Sequence, residues 1–206
     1  MTTSPRTGAR VPSPLTARGP SGTSPTQNVV VPAAALAHLR RALAREMGVP
    51  SAVHVLQDAG FATGETLYRE FARGVSGPDD DPSAPDPSSL SEDAFWDRLD
   101  GFFKARGWGR FEAERVHSGL GMIRAHDWAE ADGHGQETQP GCYFTSGLLT
   151  HLLGQAAGGP VAVLEVRCRS RGDSSCEFLY GSEAAVHEIY GLLLDDRSVD
   201  QALAEL

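Results

Sequence analysis

From Val29 the chain alternates apolar and polar positions with two distinct periods. Leu36, Leu39, Leu43 and Met47 recur at helical spacing, and Gly48 is placed to end the helix they predict. Pro50 and Ser51 open a second helical stretch from Ala52 to about Arg73, interrupted by Gly60 and Gly64. Glycine weakens a helix relative to alanine, so two of them four residues apart predict close approach of a neighbouring element or a ligand. Ser91, with Glu92 and Asp93 in the first turn, starts a third helix whose apolar side carries Phe95, Leu99, Phe102 and Phe103.

The period then shortens. RFEAERVHS and GMIRAHDWAEA, joined through Gly119 and Gly121, read as one β-hairpin, with His126 and Trp128 ending its second strand. Alternation puts those two side chains on one face, at a pocket rim or simply exposed. CYFTSGLLTHLLGQAAGG reads as a buried helix ending at Gly158, within which the lone His151 reads as a packed residue rather than a ligand. PVAVLEVRCRSRGDSSCEFLYG follows as a second hairpin turning near Gly172, then a helix from about Ser182 to Leu194 and a shorter one in the tail. Helices flanking hairpins predict an α+β fold around a small antiparallel sheet.

Between these elements lie two segments unable to hold a core. Residues 1–28 are dense in Pro, Ser, Thr and Gly, with three arginines and no acid. They weakly resemble an organellar transit peptide, and their composition fits a disordered tail better. Residues 76–91, SGPDDDPSAPDPSSLS, read as a flexible acidic and Pro-rich loop whose prolines break calcium-loop spacing. The expected organisation is thus a tail (1–28), one domain (29–195) and a C-terminal tail (196–206).

Charge narrows the partners. Beyond residue 28 the chain carries 15 basic against 27 acidic side chains, which opposes direct binding to nucleic acid or to an anionic membrane. No apolar run approaches the roughly 20 residues of a membrane span. There is no dinucleotide fingerprint, phosphate loop, GxSxG or HExxH, so no catalytic residue is assigned. Three cysteines, late and clustered, fit a disulfide framework poorly and point to a reducing, cytoplasmic setting.

Those cysteines carry the candidate chemistry. Cys142 opens a helix, Cys168 lies near the end of the third strand, and Cys176 begins the fourth, so a turn at Gly172 brings the last two together. Glu165 would complete a four-ligand set of the kind zinc favours. In a regular strand Glu165 and Cys168 diverge, so convergence requires a bulge or strong twist near Arg167. Arg167, Arg169 and Arg171 are close enough in sequence to offset part of the charge. Spacing alone leaves open a metal cluster or three unrelated small cysteines beside a surface glutamate.

The stretch from Gly141 to Tyr180 resembles the 4-vinyl reductase domain family. The similarity rests on GCYFTSGLL, on the ExxC of Glu165 and Cys168, and on Gly172-Asp173 followed by Cys176; upstream, Ala59, Gly60 and Gly64 match more diffusely. This family is similar to the sensor domains of phenol- and xylene-responsive bacterial activators. The resemblance implies a structural Zn²⁺ on Cys142, Glu165, Cys168 and Cys176, and a fold shared with nitric-oxide sensors and Golgi-transport particle subunits. It also implies a homodimer, and a hydrophobic pocket for a small apolar or aromatic ligand. Candidate pocket residues are Phe61, Tyr68, Phe71, Trp108, Trp128, Tyr143 and Phe144. The chain shows no ATPase motif, so a sensor would need a separate signalling partner. Two alternatives follow from the same resemblance: a carrier or accessory protein in tetrapyrrole vinyl reduction, with a biosynthetic partner, and an interaction subunit like the trafficking relatives.

Overall fold

Each hairpin expected from the two-residue period forms, and the two are sewn together by their second strands. In the computed structural model, which describes residues 29–76, 79–80, 87–133 and 137–206, the strands are β1 (Phe111–His117), β2 (Leu120–Ala125), β3 (Ala162–Arg167) and β4 (Cys176–Gly181). They make one antiparallel sheet in the order β1-β2-β4-β3. Register runs from Phe111 opposite Ala125 to Ala125 opposite Cys176, so β2 and β4 are central and β3 is an open edge. The β3–β4 ladder slips between Glu165 and Arg167, where the sequence required a bulge or strong twist.

Alternation along these strands divides the core in two. Ile123, Ala125, Cys176 and Phe178 face a cluster with α3 (Glu92–Ala105) and α4 (Tyr143–Ala157). Leu120, Met122, Val166 and Leu179 face the other side, covered by α5 (Glu183–Leu194) and α6 (Val199–Glu205). The result is an α+β architecture with a four-stranded sheet between two helical layers. Serines at 91, 182 and 198 accept the backbone N–H of the third helical residue and start α3, α5 and α6. Residues 196–206, read as a tail with a short helix, bury Val199 and Ala202 in the second cluster.

The N-terminal helices α1 (Ala34–Met47) and α2 (Val49–Ala72) meet at Gly48, whose φ of 81° turns the chain. The apolar stripe of α1 is not its buried face. Leu39 and Met47 are exposed, while Ala37 and Arg40 are buried. Residues 1–28, 77–78 and 81–86, parts of the expected tail and acidic loop, lie outside the described residues. Pro87–Ser89 form a 3₁₀ turn with Pro87 buried, and Val75–Ser76 pairs with Asp79–Asp80 in a two-residue ladder. No helix among the described residues is long and apolar enough to cross a membrane.

Gly60 and Gly64 serve the close approach their spacing predicted. A Cβ on Gly60 would stand 2.0 Å from the backbone oxygen of Phe144, and one on Gly64 would stand 2.6 Å from the His151 side chain. Reciprocally, a Cβ on Gly147 of α4 would meet the backbone oxygen of Gln57 at 2.0 Å. Gly60→Ala is therefore expected to force α2 from α4 and lower stability by about 1–3 kcal/mol in urea denaturation. Gly101→Ala, in α3 with nothing within 4 Å of its new methyl, should instead stabilise by about 0.5–1 kcal/mol.

Candidate metal centre

Three elements deliver four buried side chains to one corner of the sheet. Cys142 is the residue before α4, Cys168 follows β3, and Cys176 opens β4. The ladder slip after Glu165 turns its carboxyl to the same side. The ligand atoms of Cys142, Glu165, Cys168 and Cys176 all lie within 4.8 Å of one another. Cys142 Sγ is 3.8 Å from both Cys168 Sγ and Cys176 Sγ. A tetrahedral zinc with Zn–S bonds of about 2.3 Å sets its sulfurs about 3.8 Å apart. The cluster is therefore spaced as a tetrahedral thiolate site rather than as a disulfide, and it can bind a metal.

Glu165 supports the same conclusion. Its Oε2 accepts the Cys142 N–H at 2.7 Å, whereas Oε1 is buried with no hydrogen-bond partner. A buried carboxylate oxygen left unpaired is costly unless a cation takes it. Burial drives the Cys142 thiol and the Glu165 carboxyl well above their ordinary pKa values. Hydrogen bonds from Cys142 and Cys176 pull Cys168 far down, helped by the Gly141 N–H at 3.4 Å. Binding a divalent cation here requires the thiols to give up their protons.

The loops that hold the ligands are themselves held by polar side chains. Asp173 Oδ2 accepts the Cys168 N–H at 2.8 Å, and the Cys168 carbonyl accepts the Asp173 N–H at 3.2 Å, closing the 3₁₀ turn Arg169–Arg171. Gly172, at φ 100°, completes that turn. Ser170 accepts the Asp132 N–H, and Arg40 donates to the Gly141 carbonyl at 2.7 Å and to Glu137 at 3.1 Å. Arg41 pairs with Asp132. Two of the three arginines expected to offset part of the cluster's charge bond elsewhere: Arg167 to Glu177 and Asp200, and Arg171 to Asp173 and the Val166 carbonyl.

Glu130 escaped sequence reading altogether, because it lies in a stretch that reads as the end of a strand. It is buried beneath the start of α4, where it accepts the N–H groups of Phe144 and Thr145 and the Thr145 hydroxyl. It thus caps the helix that presents Cys142. Only the acid's position beside a helix start could have signalled this, and the sequence places twelve residues between them.

The seven candidate pocket residues separate. Trp108, Trp128 and Phe144 come together, with Trp108 stacked on Phe144 at 6.0 Å and tilted against Trp128 at 5.9 Å. Trp128 does not sit at an exposed rim beside His126. The strand stops at Ala125, the following turn buries Trp128 at 2% exposure, and its Nε1–H bonds Thr145. Phe71 is packed inside between Phe95 and Phe102, and Tyr68 lies partly buried against the same cluster. Phe61 is exposed beside His151, whose ring nitrogens are buried without partners. Tyr143 lines a separate cleft along β3.

Residues 122–182 match the family model of the 4-vinyl reductase domain, and all four cluster residues fall inside that span. Among solved structures, the chain is similar to the phenol-responsive sensory domain of the transcription activator PoxR, solved with phenol. The identity is 20% and the TM-score 0.59, over 76% of this chain and 77% of that one. A vinyl-4-reductase family protein from Methanocaldococcus jannaschii matches at 20% identity and a TM-score of 0.38, over 58% of this chain and 72% of that one. No curated protein matches. Residues 122–182 thus resemble a 4-vinyl reductase domain, and the chain shares the α+β fold of the PoxR sensory domain.

Proposed function

We propose that this chain is a zinc-stabilised binding or sensing domain for a small, largely apolar aromatic molecule, without catalysis at the metal. One observation carries the reading: the cluster is closed. Four protein ligands are buried at tetrahedral spacing, and a zinc held by four protein groups keeps no position for water or substrate. Such an ion ties α4 to the β3–β4 hairpin, and recognition falls to a cavity elsewhere.

A cavity of about 370 Å³ lies between the start of α3, the end of α4 and the sheet. Its walls include Phe95, Trp96, Leu153, Val161 and Tyr180. That size and an apolar wall with few polar groups suit a one-ring ligand. Gly121 lets the Tyr180 ring lie flat on β2, since a Cβ there would stand 2.1 Å from the ring. Burial pushes the Tyr180 hydroxyl up to about 12, so it stays a neutral donor and acceptor at physiological pH. The fold shared with a phenol-responsive sensory domain supports the same ligand class.

Phenol and alkylphenols are expected to raise the melting temperature of the metal-loaded chain in a thermal-shift titration. Trp96→Ala should abolish the shift while the metal content stays unchanged. A shift that persists in Trp96→Ala would place the ligand elsewhere, and no shift with any one-ring aromatic would reject the ligand class.

A further inference from the structure

A second cleft, of about 770 Å³, runs along the open edge of β3 between the start of α4 and the helices α5 and α6. Its chemistry differs from that of the aromatic cavity. Three guanidinium groups line it, those of Arg167, Arg171 and Arg197. The one carboxylate in the lining among the described residues, Glu165, belongs to the metal cluster. Apolar side chains, Leu164 from β3 and Leu193 from α5 among them, share the remaining wall with Gln57, Gln139, Ser146 and Ser198.

Each arginine already has a carboxylate partner, and the quality of those partners decides what the cleft can bind. Arg167 reaches buried Glu177 through one amino group and Asp200, 82% exposed, through the other. Arg197 uses Nε on Glu205 at 3.3 Å, with both groups open to solvent. Exposed pairs of this kind contribute little, so a carboxylate or sulfonate entering the cleft displaces weak partners. A guanidinium accepts such a group through two parallel hydrogen bonds. An adjoining apolar wall then rewards a hydrocarbon body attached to that head group.

We infer that the cleft along β3 is a binding site for an amphipathic organic anion. The charged head lies at Arg167 and Arg197, and the hydrocarbon body covers Leu164 and Leu193. This site is separate from the aromatic cavity and does not depend on it.

The test uses the full metal-loaded chain and 8-anilinonaphthalene-1-sulfonate as a fluorescent amphipathic anion. Decanoate, kept below its micelle concentration, should displace the dye, and decanol of the same chain length should compete at least about ten-fold more weakly, one charge-assisted interaction being worth about that factor. Arg197→Glu should weaken dye and decanoate binding by about ten-fold or more, and Arg197→Lys should restore part of it. Near-ultraviolet circular dichroism and the melting temperature should match the parent, because Arg197 is a surface residue. Equal competition by decanol and decanoate, or unchanged binding in Arg197→Glu, would overturn the inference. The phenol-induced thermal shift in Arg197→Glu reports separately on the aromatic cavity and is expected to be unaffected.

Discussion

Replacing Cys176 by serine is expected to strip the chain of its metal and to lower its melting temperature by about 8–16 °C. Purified parent protein should carry about one zinc per chain by elemental mass spectrometry, and Cys176→Ser a small fraction of that. Cys176 sits opposite Ala125 on the central strand pair, fully buried, with its sulfur one tetrahedral edge from Cys142. Serine offers a poorer ligand, and the remaining groups must then take back protons or stay buried as unpaired charge. A loss of about 4 kcal/mol corresponds to that melting shift for a chain of this size. The metal-free state does not collapse entirely, because two apolar clusters persist on either side of the sheet. Glu165→Gln separates the contributions: three thiolates remain, so the ion should stay, held less tightly. Stoichiometric metal in Cys176→Ser, or a metal-free parent of equal stability, would reduce the cluster to three packed thiols.

Spacing alone left that cluster open and the family resemblance completed it, yet most of its geometry is local. Three of its four members come from one hairpin, where residue spacing and a glycine turn fix the geometry within twelve residues. Even the awkward step, Glu165 and Cys168 on one side, announced its own remedy in the ladder slip. Elements were legible for the same reason: a period of 3.6 or 2 is a property of a short window. What the window lacks is the identity of the neighbour. The stripe Leu36, Leu39, Leu43, Met47 specified a helix, yet α1 buries Ala37 and Arg40 instead, Arg40 reaching the Gly141 carbonyl in the loop before Cys142. Both hairpins were readable, whereas the β2–β4 pairing that joins them spans more than fifty residues. Trp128 failed for a related reason, because strand alternation was extended past Ala125 into a turn that folds back on α4. Aromatic residues alone could not separate a lined cavity from a filled core, and five of the seven candidates pack against the first apolar cluster.

Glu130, the residue sequence reading missed, should impose a measurable pH dependence on stability. Burial raises its carboxyl from the usual range to about 7, against the pull of its hydrogen bonds to Thr145 and Phe144 and of the nearby Arg40 charge. In the unfolded chain it titrates near 4.5. Between these values the folded state holds a proton that the unfolded state has released, so folding is favoured most below pH 4.5. That contribution declines as pH rises to about 7 and is constant above it, a total of about 3 kcal/mol. The proposed zinc ligands would pull the other way, because acid releases a bound ion and alkali retains it. Comparing Glu130→Gln with the parent across about pH 5 to 8 removes that common term. Glutamine has no proton to exchange here, so the urea stability of the parent should fall relative to the variant as pH rises. Glu130→Ala should destabilise at every pH by about 2–4 kcal/mol, leaving the N–H groups of Phe144 and Thr145 and the Thr145 hydroxyl without their buried acceptor. Because those donors form the first turn of α4, the same variant should bind zinc less tightly, although Glu130 is not a ligand. A parent and Glu130→Gln with parallel pH profiles would show the carboxylate ionised throughout, with the cap rather than the proton as its whole contribution.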